Sequence, residues 1–544
     1  MQSNAKAKAK AKLGHIISGS LTEGFILRIN PEVNLETIKT GKFVSIEGKY
    51  HKFFSLITDL KLEVTNQDIL LFPPQETESI LSSFLHKKDI YATANLKPML
   101  MLGKDERPSP VKTIPPHFSH VYEANNKDVA LIFGNEDDPS KKFFNIGTPL
   151  DMQTPVCLNL EKLTERSNGI FGKTGTGKTF LTRLVLAGLI KNEKAVNLIF
   201  DMHSEYGLQA RQEGKGQSFV KGLKTLFPDK VAIFSLDPDS TRRRGGAPDY
   251  EITLDYQSIH VEDILSLQSE LNLHATALEA AYLIAAKYKR NWLHALLSQG
   301  EQIKDFAQEL GAHPESIAAL YRKLKRIERL PFFVSHATGA YKDISVIDQM
   351  LECIDKGIHV IVEFGNFTST FCYLLIANII TRRIHTKYVA KTEKFLGSQQ
   401  KEDEPKKLMI TIEEAHKFLN QQAARQTIFG IIAREMRKYY VSLLVVDQRP
   451  SGIDPEIISQ IGTKIVAQLN DEKDIQSVLT GINNAANLKS ILSSLDSKKQ
   501  ALLMGHALTM PVVVQTREYG QDFYRAMAIN LSKKQVDSFI QEIF

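Results

Sequence analysis

Two textures of apolar and polar positions divide the chain. From Leu13 to about Asp151, apolar residues alternate with polar ones in short bursts such as "GFILRI", "GKFVSIEG", "HKFFSLITDLKLEV", "DIYATANLKPMLML" and "KDVALIFG". Gly, Pro, Asn and Asp separate the bursts. Short strands with regular turn signals predict a small β-barrel over 13–150, whose default role is packing and oligomer contact. Beyond Asp151 the apolar residues come in unbroken, β-branched runs. These are "AVNLIFD", "KVAIFS", "GIHVIVEF", "KLMITIEEAH", "VSLLVVDQRP" and "GTKIVAQL", with helical spacing between several of them. Strands buried on both faces and alternating with helices predict a parallel α/β sheet over 151–520.

Within that core, "ALEAAYLIAAKYKRNWLHALL" and "PESIAALYRKLKRI" repeat apolar residues at helical spacing. They predict a helical insertion at about 258–345. "KTEKFLGSQQKEDEPKKL" reads as an exposed loop before a strand, and the segment 521–544 as a C-terminal extension of one or two amphipathic helices. The first twelve residues, "MQSNAKAKAKAK", are basic and low in complexity: a solvated tail or an arm on phosphates.

Composition narrows the class without choosing a function. With 544 residues, 43% hydrophobic and 24% charged, the chain has material for several globular domains. Cys157, Cys353 and Cys372 have no metal-ligand spacing and suit a reducing cytoplasm. No apolar run reaches membrane-spanning length. The net charge of +6 permits a nucleic-acid partner without arguing for one.

Chemistry enters at "GIFGKTGTGKTFLTRLVLAGLI", residues 169–190. Gly172, Gly177, Lys178 and Thr179 satisfy G-x-x-x-x-G-K-[ST] at every fixed position. The loop Gly172, Lys173, Thr174, Gly175, Thr176, Gly177 is predicted to turn its backbone N–H groups onto phosphates. The helix opening at Lys178, Thr179 and Phe180 adds its positive end. Lys178 is expected on the β- and γ-phosphates of ATP, and Thr179 on Mg²⁺.

Hydrolysis also needs carboxylates and a group to hold water. In "LMITIEEAHKFL", Glu413 stands where a metal-associated acid is expected and Glu414 where a water-activating base is expected. Both follow a strand, at the end where open α/β sheets place ligands. Gln448 ends a further strand and is positioned to sense the γ-phosphate. Asp201, His203 and Glu205 are expected on the loop after the strand beside the phosphate loop, supporting water or metal, or capping a helix. Arg242, Arg243 and Arg244, followed by two glycines, read as a flexible basic turn: a solvated hairpin tip or a loop contacting DNA phosphates. An acidic pair with a strand-end Gln suits water rather than an acceptor hydroxyl, which disfavours a small-molecule kinase.

The order "GIFGKTGTGKT", "LIFDMHSEYG", "MITIEEAHKFL", "REMRKYYVSLLVVDQRPSGIDPEIISQIGTKIVAQL" and "ALLMGHALTMPVVVQTRE" resembles the HerA family, within the HerA/FtsK superfamily of P-loop motors. The likeness covers about residues 13–520. It implies an N-terminal barrel, a RecA-like core with an inserted helical region, and a C-terminal extension. It also implies a hexameric ring that threads double-stranded DNA using ATP. No nuclease motif is evident, so cleavage in DNA end processing or anti-phage defence would need a separate nuclease or effector protein. The family usually shows Asp then Glu after the acidic strand; here Glu413 takes the first place. Arg437 matches the arginine of the family's Gly-Arg-Lys stretch, with Met436 replacing the glycine. This implies a finger supplied to a neighbour's site, with Arg434 as the other candidate. The competing expectation is a scaffold or regulatory ATPase ring that organises an effector without moving DNA.

Overall fold

The computed structural model describes residues 12–65, 71, 89–105, 107–150, 152–211, 219–300, 302–334, 345–425, 427–435, 438–482, 485–496 and 499–528. The basic tail lies outside them, as does the C-terminal stretch beyond the helix Gln521–Ala528. The chain divides into two compact units interleaved along the sequence. One holds Met1–Leu163, Phe171–Lys178 and Gly462–Glu518; the other holds Thr164–Ile170, Thr179–Ile461 and Tyr519–Phe544.

In the first unit, alternation closes a barrel. Strands Gly24–Ile29, Lys12–Ser20, His120–Glu123, Phe43–Glu47, Lys52–Val64 and Ile90–Leu102 pair in that order, and the last pairs back onto the first. Closure leaves no bare edge. Leu27, Val44, Ile46, Ile57, Ala94 and Val121 fill the interior. One expected strand is corrected: "KDVALIFG" forms the helix Asn126–Phe133. Asn125 and Asp128 make a reciprocal capping box, and Val129, Ile132 and Phe133 turn inward at helical spacing. Outside the barrel, strands Thr463–Val466, Gln500–Gly505, Val512–Thr516, Phe143–Pro149 and Val156–Asn159 of this unit pair antiparallel in that order.

The second unit is built on strands in the order Tyr250–Glu251, Val231–Ser235, His359–Glu363, Val196–Asp201, Leu408–Glu413, Val441–Asp447 and Asn168–Phe171, the last residue of which passes to the first unit. The pairings among the first six are all parallel. Four central strands, "VNLIFD", "HVIVE", "LMITIE" and "VSLLVVD", are buried at every position and each ends in a carboxylate. Two strands, Leu408–Glu413 and Val441–Asp447, stand between the strand ending in Asp201 and the strand that leads into the phosphate loop.

Helices follow one another from Val261–Leu265 through Ala275–Tyr288 and Trp292–Leu297 to Pro314–Leu324. "KTEKFLGS" is not loop but the last turns of a 29-residue helix, Thr370–Ser398. Its Lys and Glu are good helix formers, and Tyr388 and Thr392 anchor its buried face. The arginine cluster is no flexible turn either. Pro238–Arg243 is a helix with proline in its first turn, and Asp237 caps the Ser240 N–H at 3.0 Å. Arg242 pairs with Asp239 and Glu251, and Arg244 reaches the fully buried Glu363 at 2.6 Å.

Candidate nucleotide-binding and hydrolysis site

The phosphate loop owes its shape to two glycines. Gly175 and Gly177 have φ of 79° and 90°, where an L side chain is strained, yet a Cβ on either would meet nothing within 4 Å. They are glycine for conformation, not for space. Gly172 is the reverse: its Cβ would come within 2.8 Å of the Thr176 hydroxyl. The Thr176 hydroxyl and the Lys178 ammonium both donate to the Lys173 carbonyl, at 2.7 and 3.0 Å. The Lys173 N–H donates to the Gln468 carbonyl at 3.0 Å. Lys178 opens the helix Lys178–Asn192. Phe180 packs its ring edgewise on Tyr519, and the buried Arg183 guanidinium lies 5.4 Å from the Phe180 ring centre.

The next helical residue, in the second unit, faces the acids. The Thr179 hydroxyl donates to Glu205 Oε2 at 2.8 Å. Glu205 is presented by a tight turn that Asp201 holds, accepting the N–H groups of Glu205, Tyr206 and Gly207. Arg183 Nε donates to the Glu205 carbonyl at 3.0 Å from the other side. Within this segment Asp201 holds the turn, Glu205 faces Thr179 and His203 is exposed.

Glu413 is deeply buried. Tyr206 Oη donates to its Oε1 at 2.7 Å, and Tyr373 Oη bonds its backbone N–H and carbonyl at 3.1 and 3.2 Å. Its other carboxyl oxygen is buried with no partner among the described residues. Burial, then the charge of Asp201, pushes the Glu413 carboxyl up to about 8. Burial, then Glu363, pushes Asp201 up to about 7. The Thr179 hydroxyl, the Glu205 carboxylate and the Glu413 oxygen without a donor among the described residues are, in ligand type, the hard oxygens that Mg²⁺ takes.

Glu414 is only half-buried, with a left-handed φ of 48°. Gln448 Nε2 donates to both its oxygens, at 3.0 and 3.3 Å. Asp447, fully buried, accepts the His416 N–H at 2.6 Å, His416 Nδ1–H at 3.0 Å and the Arg449 N–H at 2.6 Å. The structure thus brings Glu413, Glu414 and Gln448 together at adjacent strand ends. Tyr206, Tyr373 and His416 were missed as partners, although "SEYG" and "EEAH" carry two of them. Arg434 is engaged within its own chain, donating to the Ala424 carbonyl at 2.9 Å and lying 3.5 Å from Glu456. Arg437 lies outside the described residues.

The chain is similar in sequence to known proteins. Residues 144–384 match the family described as "Helicase HerA, central domain", and residues 13–111 the "HAS barrel domain". A "DNA double-strand break repair helicase HerA" from Sulfurisphaera tokodaii is 23% identical over 93% of this chain and 93% of its own. The protein of the same name from Pyrococcus furiosus is 22% identical over 73% of this chain and 72% of its own. A probable helicase from Methanocaldococcus jannaschii is 31% identical over 74% of this chain and 76% of its own. With its barrel, its glycine-shaped phosphate loop and the acids at its strand ends, the chain belongs to the HerA family of P-loop ATPases.

Proposed function

We propose that the protein is an ATP-driven translocase or helicase acting on double-stranded DNA, working as a hexameric ring with a separate nuclease or effector. One observation carries the hydrolytic part. Thr179, directly after the phosphate-loop lysine, is bonded to Glu205, and Glu413, Glu414 and Gln448 cluster at neighbouring strand ends. In this reading Gly172 through Phe180 cradle the phosphates of ATP, and Lys178 neutralises them. Thr179 and Glu413 would hold Mg²⁺, which would supply charge neutralisation when bound. Glu414 takes the proton of the attacking water, and Gln448 orients that water against the γ-phosphate. An arginine supplied by a neighbouring subunit, Arg437, completes the site in trans. The names of the archaeal relatives support DNA as the polymer that is moved.

The scaffold reading keeps one argument in its favour. The arginine cluster expected to track phosphates is largely occupied, with Arg242 and Arg244 in ion pairs. ATP turnover by the isolated protein, with and without double-stranded DNA, separates the two. Translocation predicts several-fold stimulation by DNA. Turnover indifferent to DNA over a range of salt would favour the scaffold.

A further inference from the structure

Asp447 and Gln448, consecutive at one strand end, each hold a different part of the acidic motif. Gln448 donates to Glu414, and Asp447 accepts two bonds from His416, one from its backbone N–H and one from Nδ1–H. His416 is thereby fixed at both its main chain and its ring. Its Nδ1 lies 3.6 Å from Glu414 Oε2. We propose that His416, oriented by Asp447, is a positioning residue that holds the Glu414 carboxylate beside a fixed imidazolium for water activation. The inference rests on the reading of Glu414 as the base.

The chemistry follows from where the protons are. Asp447 is a buried carboxylate whose three neighbours are all donors, so its share of the bonding is complete only when His416 Nδ1 carries hydrogen. With that hydrogen committed to Asp447, Glu414 receives the charge of the ring rather than its proton. That charge faces the Glu414 carboxylate across 3.6 Å, and the Gln448 amide already holds both its oxygens. The left-handed backbone at Glu414 aims the side chain into this position at a conformational cost. Asp447 and Glu414 favour the charged ring and Lys417 opposes it; Arg449 and Arg425 stand exposed on the neighbouring turns. The bond to Asp447 raises the His416 imidazole above its ordinary range. The ring therefore keeps its charge to a higher pH than an ordinary histidine does and gives it up as pH rises further.

The test compares ATP turnover by the full-length, assembled wild type with His416→Asn, His416→Ala and Glu414→Gln between about pH 6 and pH 9. Asparagine keeps a donor for Asp447 and removes only the charge, so the variant guards against misfolding. A fluorescent ATP analogue measures binding in each. Expected are binding within twofold of wild type, kcat reduced about tenfold or more in His416→Asn, and loss of the alkaline limb. Wild-type turnover and an unchanged pH profile in His416→Asn, with Glu414→Gln inactive, would overturn the inference, because a bare donor would then suffice. Near-normal turnover by Glu414→Gln would instead overturn the assignment of the base itself.

Discussion

Lys178 and Glu414 are two residues whose removal separates binding from chemistry. Lys178→Ala deletes a cation expected on the phosphates, and ATP binding measured by titration should fall beyond detection. Glu414→Gln keeps the shape, so it should bind ATP while turnover drops by about a hundredfold or more. Glu413 carries a prediction about pH. A carboxyl whose folded value is raised above its ordinary one binds its proton more tightly when folded. It supports the fold at low pH and loses that support as pH rises through the raised value. For Glu413 and Asp201 the window runs from the ordinary carboxylate range up to about 8 and about 7. Glu413→Gln, which still accepts from Tyr206, should therefore gain in melting temperature over wild type at pH near 8, and lose that gain toward pH 5. An equal difference at both pH values would show that the buried carboxyl does not titrate in this window.

At the level of elements, the short helix Pro238–Arg243 replaces an expected flexible turn, and the difference is testable. Arg244 follows that helix and bonds a carboxylate with no exposure to solvent. Removing Arg244 leaves the buried Glu363 without its counter-charge and with the Thr241 hydroxyl as its donor, a cost of about 3 kcal/mol. Arg244→Ala should lower the melting temperature by several degrees, whereas Arg243→Ala, exposed and outside the pair, should not. Comparable melting of the two would return the arginines to a loop role. The misread elements share a cause. "KDVALIFG" and "KTEKFLGS" are short or charged windows whose period is ambiguous, and a capping box or a distant apolar partner decided each.

For the whole molecule, the proposed ring places its arginine across a boundary between chains. Native mass measurement with and without nucleotide should give six chains per particle; another closed number would displace the hexamer. Mixing Arg437→Ala subunits with Glu414→Gln subunits tests the shared site. Each alone should be inactive, and mixed rings should regain part of the turnover where an intact Glu414 meets a neighbour's intact Arg437. No recovery in rings shown by mass to be mixed would place the arginine in its own subunit's site. Arg434 is the weaker candidate, since its guanidinium is engaged by Ala424 and Glu456 of the same chain.

The phosphate loop was legible in the sequence because its chemistry is local: glycines at fixed spacing take left-handed φ, and a lysine and a threonine begin a helix. The central strands were legible for the same kind of reason, since unbroken β-branched runs suit only strands covered on both faces. Only the tertiary structure decided strand order, and with it which strand ends meet. That is why Asp201 and Glu205, four residues apart, divide into a turn-holder and a partner of Thr179. It is also why Tyr206 and Tyr373, more than 160 residues apart in sequence, close on one buried glutamate. Side-chain partners across a sheet leave no periodicity in the chain, because pairing depends on register between segments rather than on pattern within one.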